Sequence, residues 1–556
     1  MKHSIRRLKQ KLLIKNNSNP QKLRLKRFPD CLKEIFFYLK DDHHTLYSCI
    51  QVNRLWCRMA MPFLWYNPFE LTNQKGNILL QTLITCLSEN DKERLQIRNI
   101  KFHFLSQSPP PLFDYPQYIR SFNSEKFTSL FKRYHSRDKM NDIFLFQLLI
   151  NMIFDTSYGF KHFVNNYTLS EYNNTLQKII SCNKNLPKVF SNIQKLEFQC
   201  AISLLHNSLT EHLKDHDHLQ KNFDIPYLIQ SMIELKSLVI NEHCINFKKE
   251  AIFKAIKSHK NSLTFLGFQI VNDYSLLIQI LINCTKLETL EITQERSSFF
   301  TNRNPSQQFY LNNHSISVKH FYHKNIVGNE NFFKTFLKMT SRNLQTFSSR
   351  YITREILDIM WEHCPNISYL NVSTYSFYIS SFFQLIDSLK FLEHFTLEIQ
   401  DGYPNFHEYD LQQLASKLPH SLNYLGINFF LTPNQLNFFL NECKAQIQTL
   451  ELNYFHLHDI DYVHTVLKYS QEVKCLKLVK YKKGIYGMGY CRFNPELYCR
   501  RNNRNENHIC KNKGFKYFKK KLDCNDKGTI KIGDLSLCEV KPYSYSFYDR
   551  IFNSAL

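Results

Sequence analysis

Glycine is scarce, at 12 of 556 residues, which disfavours folds built on glycine-rich phosphate loops. A small glycine cluster, "GIYGMG" from Gly484, has neither the Lys-Ser/Thr of a P-loop nor a strand-before, helix-after context, so phosphate binding is not expected there. No CxxC pair occurs among the 16 cysteines, which are scattered from Cys31 to Cys538. Long apolar runs are missing too. "IFLFQLLINMIF", from Ile143, is about half the ~20 residues that span a bilayer. The basic start is not followed by the apolar h-region of a signal peptide. Reduced thiols in a cytosolic or nuclear protein are therefore the expectation. No local Ser/His/Asp or Cys/His constellation stands out.

Charge is plentiful but uneven. The net charge is +23. Residues 1–27 hold ten Lys or Arg and no acid, while 479–521 hold thirteen against two. These arms carry +10 and +11, which leaves +2 for everything else. A balanced body with basic ends argues against one continuous nucleic-acid groove, although such arms attract nucleic acid, acidic proteins or anionic surfaces nonspecifically.

Residues 28–69 read as three short helices. Pro29 suits a first helical position, where its missing N–H costs nothing. Leu32, Ile35, Phe36 and Leu39 follow at i, i+3, i+4 and i+7, one apolar face. Thr45 is the expected cap of a second helix carrying Leu46, Cys49 and Ile50. Leu55, Trp56, Met59 and Ala60 form a third stripe, with Pro62 expected to close it. Some forty residues make a poor independent core. The unit either docks on the following chain or keeps an apolar face for a partner.

These residues resemble an F-box. Phe28-Pro29 stands for the family's Leu-Pro. Leu32, Ile35 and Leu39 match its first helix, and Val52, Arg54 and Trp56 match its closing segment. The "WCR…PFLW" stretch is especially similar to F-box-like families of fungi. The resemblance implies that Phe28, Pro29, Leu32, Ile35, Leu39, Val52, Arg54 and Trp56 bind a Skp-type adaptor. Through it the chain would join a cullin-RING complex, an SCF-type ubiquitin ligase, in ubiquitin-dependent protein degradation.

From about residue 190 a second pattern recurs: apolar, two residues, apolar, one residue, apolar. Clear copies start at Ile193, Leu235, Leu263, Leu287, Ile367, Leu392, Leu422, Ile447 and Val473, with weaker ones at Val318 and Leu344. After a first gap of 42, the starts lie 23 to 31 residues apart, around the 20–29-residue leucine-rich-repeat period. Helical stretches such as 354–366 and 436–446 fill the intervals. The fold class expected is therefore α/β: a small N-terminal three-helix unit, then an irregular leucine-rich-repeat solenoid or horseshoe over 191–480, then a basic, Cys-containing C-terminal region at 481–556. Residues 70–190 read as a connecting region with degenerate repeats, 95–104 among them as an early strand.

Alternation along each strand predicts a polar, tyrosine-bearing concave face for binding a target protein. Its candidate residues are Glu197, Glu291, Tyr369, Asn371, Tyr424, Asn428, Glu451 and Asn453. No cofactor or metal is expected. His212, His216 and His218 beside Asp215 and Asp217 read as a surface loop, with zinc the lesser alternative. Cys491, Cys499, Cys510, Cys524 and His508 are too unevenly spaced for a usual zinc ribbon. "KNKGFKYFKKK", from Lys511, interleaves basic and aromatic residues as a nucleic-acid contact would. The best reading is a non-catalytic, substrate-recruiting ligase subunit. The alternatives are an interaction scaffold that has lost its adaptor, or a nucleic-acid-associated protein using its basic arms.

Overall fold

The computed structural model describes residues 29–100, 110–133, 139–167, 171–182, 189–200, 225–240, 249–268, 274–293, 314–324, 330–350, 352–400 and 407–452. It also describes Phe102 and short pieces at 465–466, 468–470, 478–481 and 529–531. The chain divides into two compact units, residues 1–238 with 247–255, and residues 239–246 with 256–556.

The first unit opens with helices α1 (Pro29–Tyr38), α2 (His43–Ile50) and α3 (Arg54–Leu64). Asp42, not Thr45, caps α2. Its carboxylate accepts from the Thr45 N–H at 3.0 Å and the Thr45 hydroxyl at 2.7 Å. A carboxylate in that place also complements the positive end of the helix. Asn53 caps α3 by accepting from Leu55 N–H and Trp56 N–H at 2.9 and 3.0 Å. Pro62 does not stop α3, because it lies so near the end that few hydrogen bonds remain to be lost. The Trp65 N–H still reaches the Met61 carbonyl at 3.0 Å.

Leu32, Phe36, Leu46, Cys49 and Ala60 close a small core, with Leu39, Ile50, Leu55, Trp56, Met59 and Phe63 packed around it. The Phe36 ring meets Trp56 edge-on at 5.4 Å. So small a core is supported from the next segment. Trp65 stacks on Tyr115 at 4.5 Å, and the Tyr66 carbonyl accepts from both Arg120 and Ser121 N–H at 3.0 Å. Phe69 then enters a phenylalanine cluster through Phe122 at 5.6 Å and Phe127 at 5.2 Å.

The early strand expected over 95–104 is not formed at residues 95–100, the run of that stretch within the described residues. A helix runs Glu89–Ile97, capped by Ser88 and rich in acid in its first turn. It ends at Asn99 in the left-handed region (φ 58°), with the Ile100 N–H bonded to the Leu95 carbonyl at 2.9 Å. Strands begin instead at β1 (Ser121–Asn123) and β2 (His162–Tyr167), both ahead of residue 191. β1 pairs in parallel with β2, and β2 in turn with β3 (Lys195–Cys200). The very short β1 and the polar "HFVNNY" of β2 conceal the repeat pattern.

After β4 (Ser237–Ile240), the second unit is a strand–helix repeat. Its strands are β5 (Phe265–Phe268), β6 (Thr289–Thr293), β7 (His320–Lys324), β8 (Thr346–Ser349), β9 (Tyr369–Thr374), β10 (His394–Ile399), β11 (Tyr424–Asn428), β12 (Thr449–Leu452) and β13 (Leu478–Tyr481). Each pairs in parallel with the next. β14 (Thr529–Lys531) adds antiparallel to β13. Sequential parallel order with a helix in most crossovers is the α/β, leucine-rich-repeat-like arrangement that the repeat pattern predicts.

The apolar triplet points inward in every clear copy within the described residues, as at Leu287, Leu290 and Ile292 or Ile367, Leu370 and Val372. The two weak copies differ at their third position. His323 and Ser349 stand there, and both are buried. They are direct partners across β7 and β8, with Ser349 Oγ 3.4 Å from His323 Nδ1. The polar residues that weaken the motif lie side by side in the core.

Candidate functional site

The residues expected to make contacts lie on two surfaces. The first is the outer face of the three-helix body. Ile35 and Val52 are about half exposed, at 48% each, and Pro29 and Arg54 lie at the exposed starts of α1 and α3. Leu32 is placed differently from the expectation. It is fully buried within the unit's own core, and Leu39 and Trp56 pack against that core. The i, i+3, i+4, i+7 stripe is thus split. Leu32 and Phe36 face inward, while Ile35 lies beyond the edge of the face that two short neighbouring helices can cover. Phe28 lies outside the described residues.

The expected set omits three exposed aromatics: Phe37 (50% exposed), Tyr38 (82%) and Tyr47 (54%). The signal was present. "IFFY" at 35–38 carries more large apolar groups in one helical turn than one buried face can take. Phe37 packs edge-on to Tyr38 at 6.1 Å, and the Lys40 ammonium lies 4.9 Å from the Phe37 ring centroid. The result is an apolar patch with a cationic edge on a unit whose core is already closed.

The second surface is the polar face of the strands. Cross-strand register aligns Thr289, His320, Thr346, Tyr369, His394, Tyr424 and Thr449 in one row. A second row aligns Glu291, Tyr322, Ser348, Asn371, Thr396, Gly426 and Glu451. In the first row, Tyr369 stacks on His394 at 4.0 Å and 13°, and His394 on Tyr424 at 3.8 Å and 18°. The Tyr424 hydroxyl donates to the Glu451 carboxylate. Burial, and then that carboxylate, push the Tyr424 phenol well above its ordinary value. Burial likewise raises Tyr369. Both phenols remain neutral donors across the physiological range. Gly426 is a packing requirement in the second row, because a Cβ there would lie 2.7 Å from Thr396 Oγ1.

Asn428 departs from the expectation. It is 6% exposed, and its Oδ1 has no hydrogen-bond partner. Alternation assigns it to the open face, but residues near the C-terminal strand ends are covered: Ser373 is 2% exposed and accepts from the Gln400 side chain. Of the expected residues on β9, β11 and β12, Tyr369, Asn371, Tyr424 and Glu451 stay half-exposed. Glu291 is half-exposed on β6, with Thr293 Oγ1 at 3.5 Å. Asn453 lies outside the described residues.

Glu197, in the first unit, is an internal salt-bridge residue. Lys195 Nζ lies 2.7 Å and His162 Nε2 3.3 Å from its carboxylate. Burial opposes its ionisation, but those two partners prevail and lower its pKa to about 2. His162 Nδ1 faces Ser121 Oγ at 3.3 Å, so four residues form a polar chain across β1, β2 and β3. With Ser121 only 3% exposed, the chain reads as structural.

Among the described residues no group of three or more His, Cys, Asp and Glu could hold a metal ion. The His212–His218 cluster and the cysteines after Cys475 lie outside them, as do "GIYGMG" and "KNKGFKYFKKK". Among the described residues no helix is long and apolar enough to cross a membrane.

No family model matches the chain, and no curated protein matches it. Among solved structures it is similar to the crystal structure of the leucine-rich repeat-containing protein LegL7 from Legionella pneumophila. That likeness has 11% identity and a TM-score of 0.32, and covers 46% of this chain and 77% of that one. The repeat assignment therefore rests on this chain's own strand register and buried motif.

Proposed function

We propose that the chain is the substrate-recognition subunit of an SCF-type ubiquitin ligase. In this reading residues 28–69 are an F-box that docks a Skp-type adaptor, and through it a cullin-RING complex. The strand face of the repeats holds the protein to be ubiquitinated. The chain forms no ubiquitin thioester; it raises the effective concentration of a target beside a separate enzyme. Such a subunit works in the cytoplasm or nucleus.

The observation that carries the reading is the number of large apolar side chains the three-helix unit leaves exposed on a core that is already closed. Leu32, Phe36 and Leu46 already satisfy its core, yet Ile35, Phe37, Tyr38, Tyr47 and Val52 remain exposed. An amphipathic helical unit with leftover apolar surface buries it against partner helices. The experiment is co-purification of the full chain with a Skp-type adaptor. The wild-type chain is expected to retain the adaptor, and Ile35→Asp with Phe37→Asp to lose it while folding normally, since both side chains are outside the core. No capture by the wild-type chain, or undiminished capture by the double variant, would refute the reading.

A further inference from the structure

The stretch "SPPPLFDYPQY", from Ser108, belongs to neither interaction surface. Its residues Pro110, Pro111 and Leu112 are exposed, Leu112 at 80%. Among the described residues no hydrogen bond engages any of the three. Proline has no N–H to donate, so this backbone neither propagates a helix nor pairs as a sheet strand. A residue before proline is driven to the extended or polyproline II region, and Pro110 precedes Pro111. The Pro110 and Pro111 carbonyls are left as acceptors on a chain whose φ is fixed.

The segment stands on a fixed base. Phe113 packs against Tyr115 with ring centroids 5.9 Å apart, and Tyr115 stacks on Trp65 at 4.5 Å. Pro116 is buried, and Arg120 Nη1 donates to the Gln117 and Ile119 carbonyls at 2.6 and 2.9 Å. Charge narrows what fits the exposed part. From Phe102 to Ile119 the sequence has no Lys or Arg and one acid, Asp114. Prolines followed by an exposed leucine present ring and alkyl surface with carbonyl acceptors between them. Grooves that read this chemistry are lined by aromatic rings, and a preformed polyproline II segment enters them at little ordering cost. A groove that depends on an acidic pocket for a neighbouring arginine finds no arginine here.

We propose that Pro110–Leu112 is a docking segment for a partner domain with an aromatic-lined, uncharged polyproline groove of the kind found in WW domains. The two prolines enter between the groove's rings, and the groove's indole and phenol donors take the Pro110 and Pro111 carbonyls. Leu112 fills the apolar pocket that follows. The inference rests on neither the ligase reading nor the strand face.

The test is displacement of a labelled proline-rich peptide from each of four purified WW domains by the unlabelled full chain, read by fluorescence anisotropy. An arginine-dependent SH3 domain with its own labelled peptide is run in parallel. The full chain is expected to displace the peptide from at least one WW domain and not from the SH3 domain. Pro110→Ala with Pro111→Ala is expected to raise the half-displacing concentration at least tenfold, and Leu112→Asp severalfold. These side chains are exposed and make no hydrogen bond among the described residues, so the variants are expected to keep the wild-type circular dichroism. Ile233→Asp, at another exposed apolar position of the same unit, is expected to displace like the wild type. No displacement from any WW domain, displacement undiminished in the double proline variant, or equal displacement from the SH3 domain would overturn the proposal.

Discussion

His323 offers the most direct internal test of the repeat architecture. It occupies the third inward position of a repeat, 3% exposed, between Phe333 at 5.0 Å and Phe321 at 6.3 Å. Among the described residues its polar contact is Ser349 Oγ, 3.4 Å from Nδ1, and Nε2 has none. Burial in this setting lowers its pKa to about 4 from an ordinary 6.5. The folded state therefore refuses a proton that the unfolded state accepts. The stability due to neutral His323 is complete above pH 6.5, falls as the pH drops, and levels off below about 4. A difference of 6.5 − 4 = 2.5 pK units corresponds to about 3 kcal/mol, more than a hundredfold in an opening equilibrium. Because the chain has two units, a global unfolding midpoint is the wrong observable. Hydrogen exchange of the β7 and β8 amides, corrected for intrinsic rates, reads the local opening. Protection is expected to fall between pH 7 and 4 much more steeply in the wild-type chain than in His323→Leu, whatever the variant's absolute stability. Parallel pH profiles for the two chains would refute a neutral, buried His323 and with it the inward register of β7.

Two further outcomes follow from the packing. Gly426→Ala should destabilise the β10–β11 pair by roughly 1–3 kcal/mol through overpacking, and Thr396→Ala should recover part of that loss; chemical denaturation followed by exchange at β11 checks it. Burial pushes the Cys284 thiol up to about 11 and Cys364 to about 12, so mass-spectrometric mapping with iodoacetamide should modify exposed Cys31 in the native chain and reach those two only on denaturation.

The repeat was legible because its signal is redundant. A buried triplet recurs, and even the polar exceptions at His323 and Ser349 keep the spacing. The earlier strands were not, because β1 is three residues long and β2 carries Asn165 and Asn166 where apolar residues would announce a strand. Residues 95–104 show alternating apolar character, but the Ser88 cap and the acidic first turn start a helix that takes in Leu95–Ile97. In the three-helix unit, spacing identified the helices and left open which apolar residues face a partner. Leu32 and Ile35 lie about 60° apart on a helical wheel, within one apolar stripe, and the placement of α2 and α3 covers the first and leaves the second out. Asn428 marks a similar limit, since alternation assigns a face while burial depends on what the chain does after the strand ends.

The central claim is that a closed three-helix unit presents its outer face to an adaptor while the strand face stays available for a target. Hydrogen-exchange footprinting of the full chain with and without a purified Skp-type adaptor tests it most directly. The account predicts new protection confined to α1 and to residues 47–54, with β9–β12 unchanged. Absence of any protection at α1, or protection centred on the strand face, would contradict it.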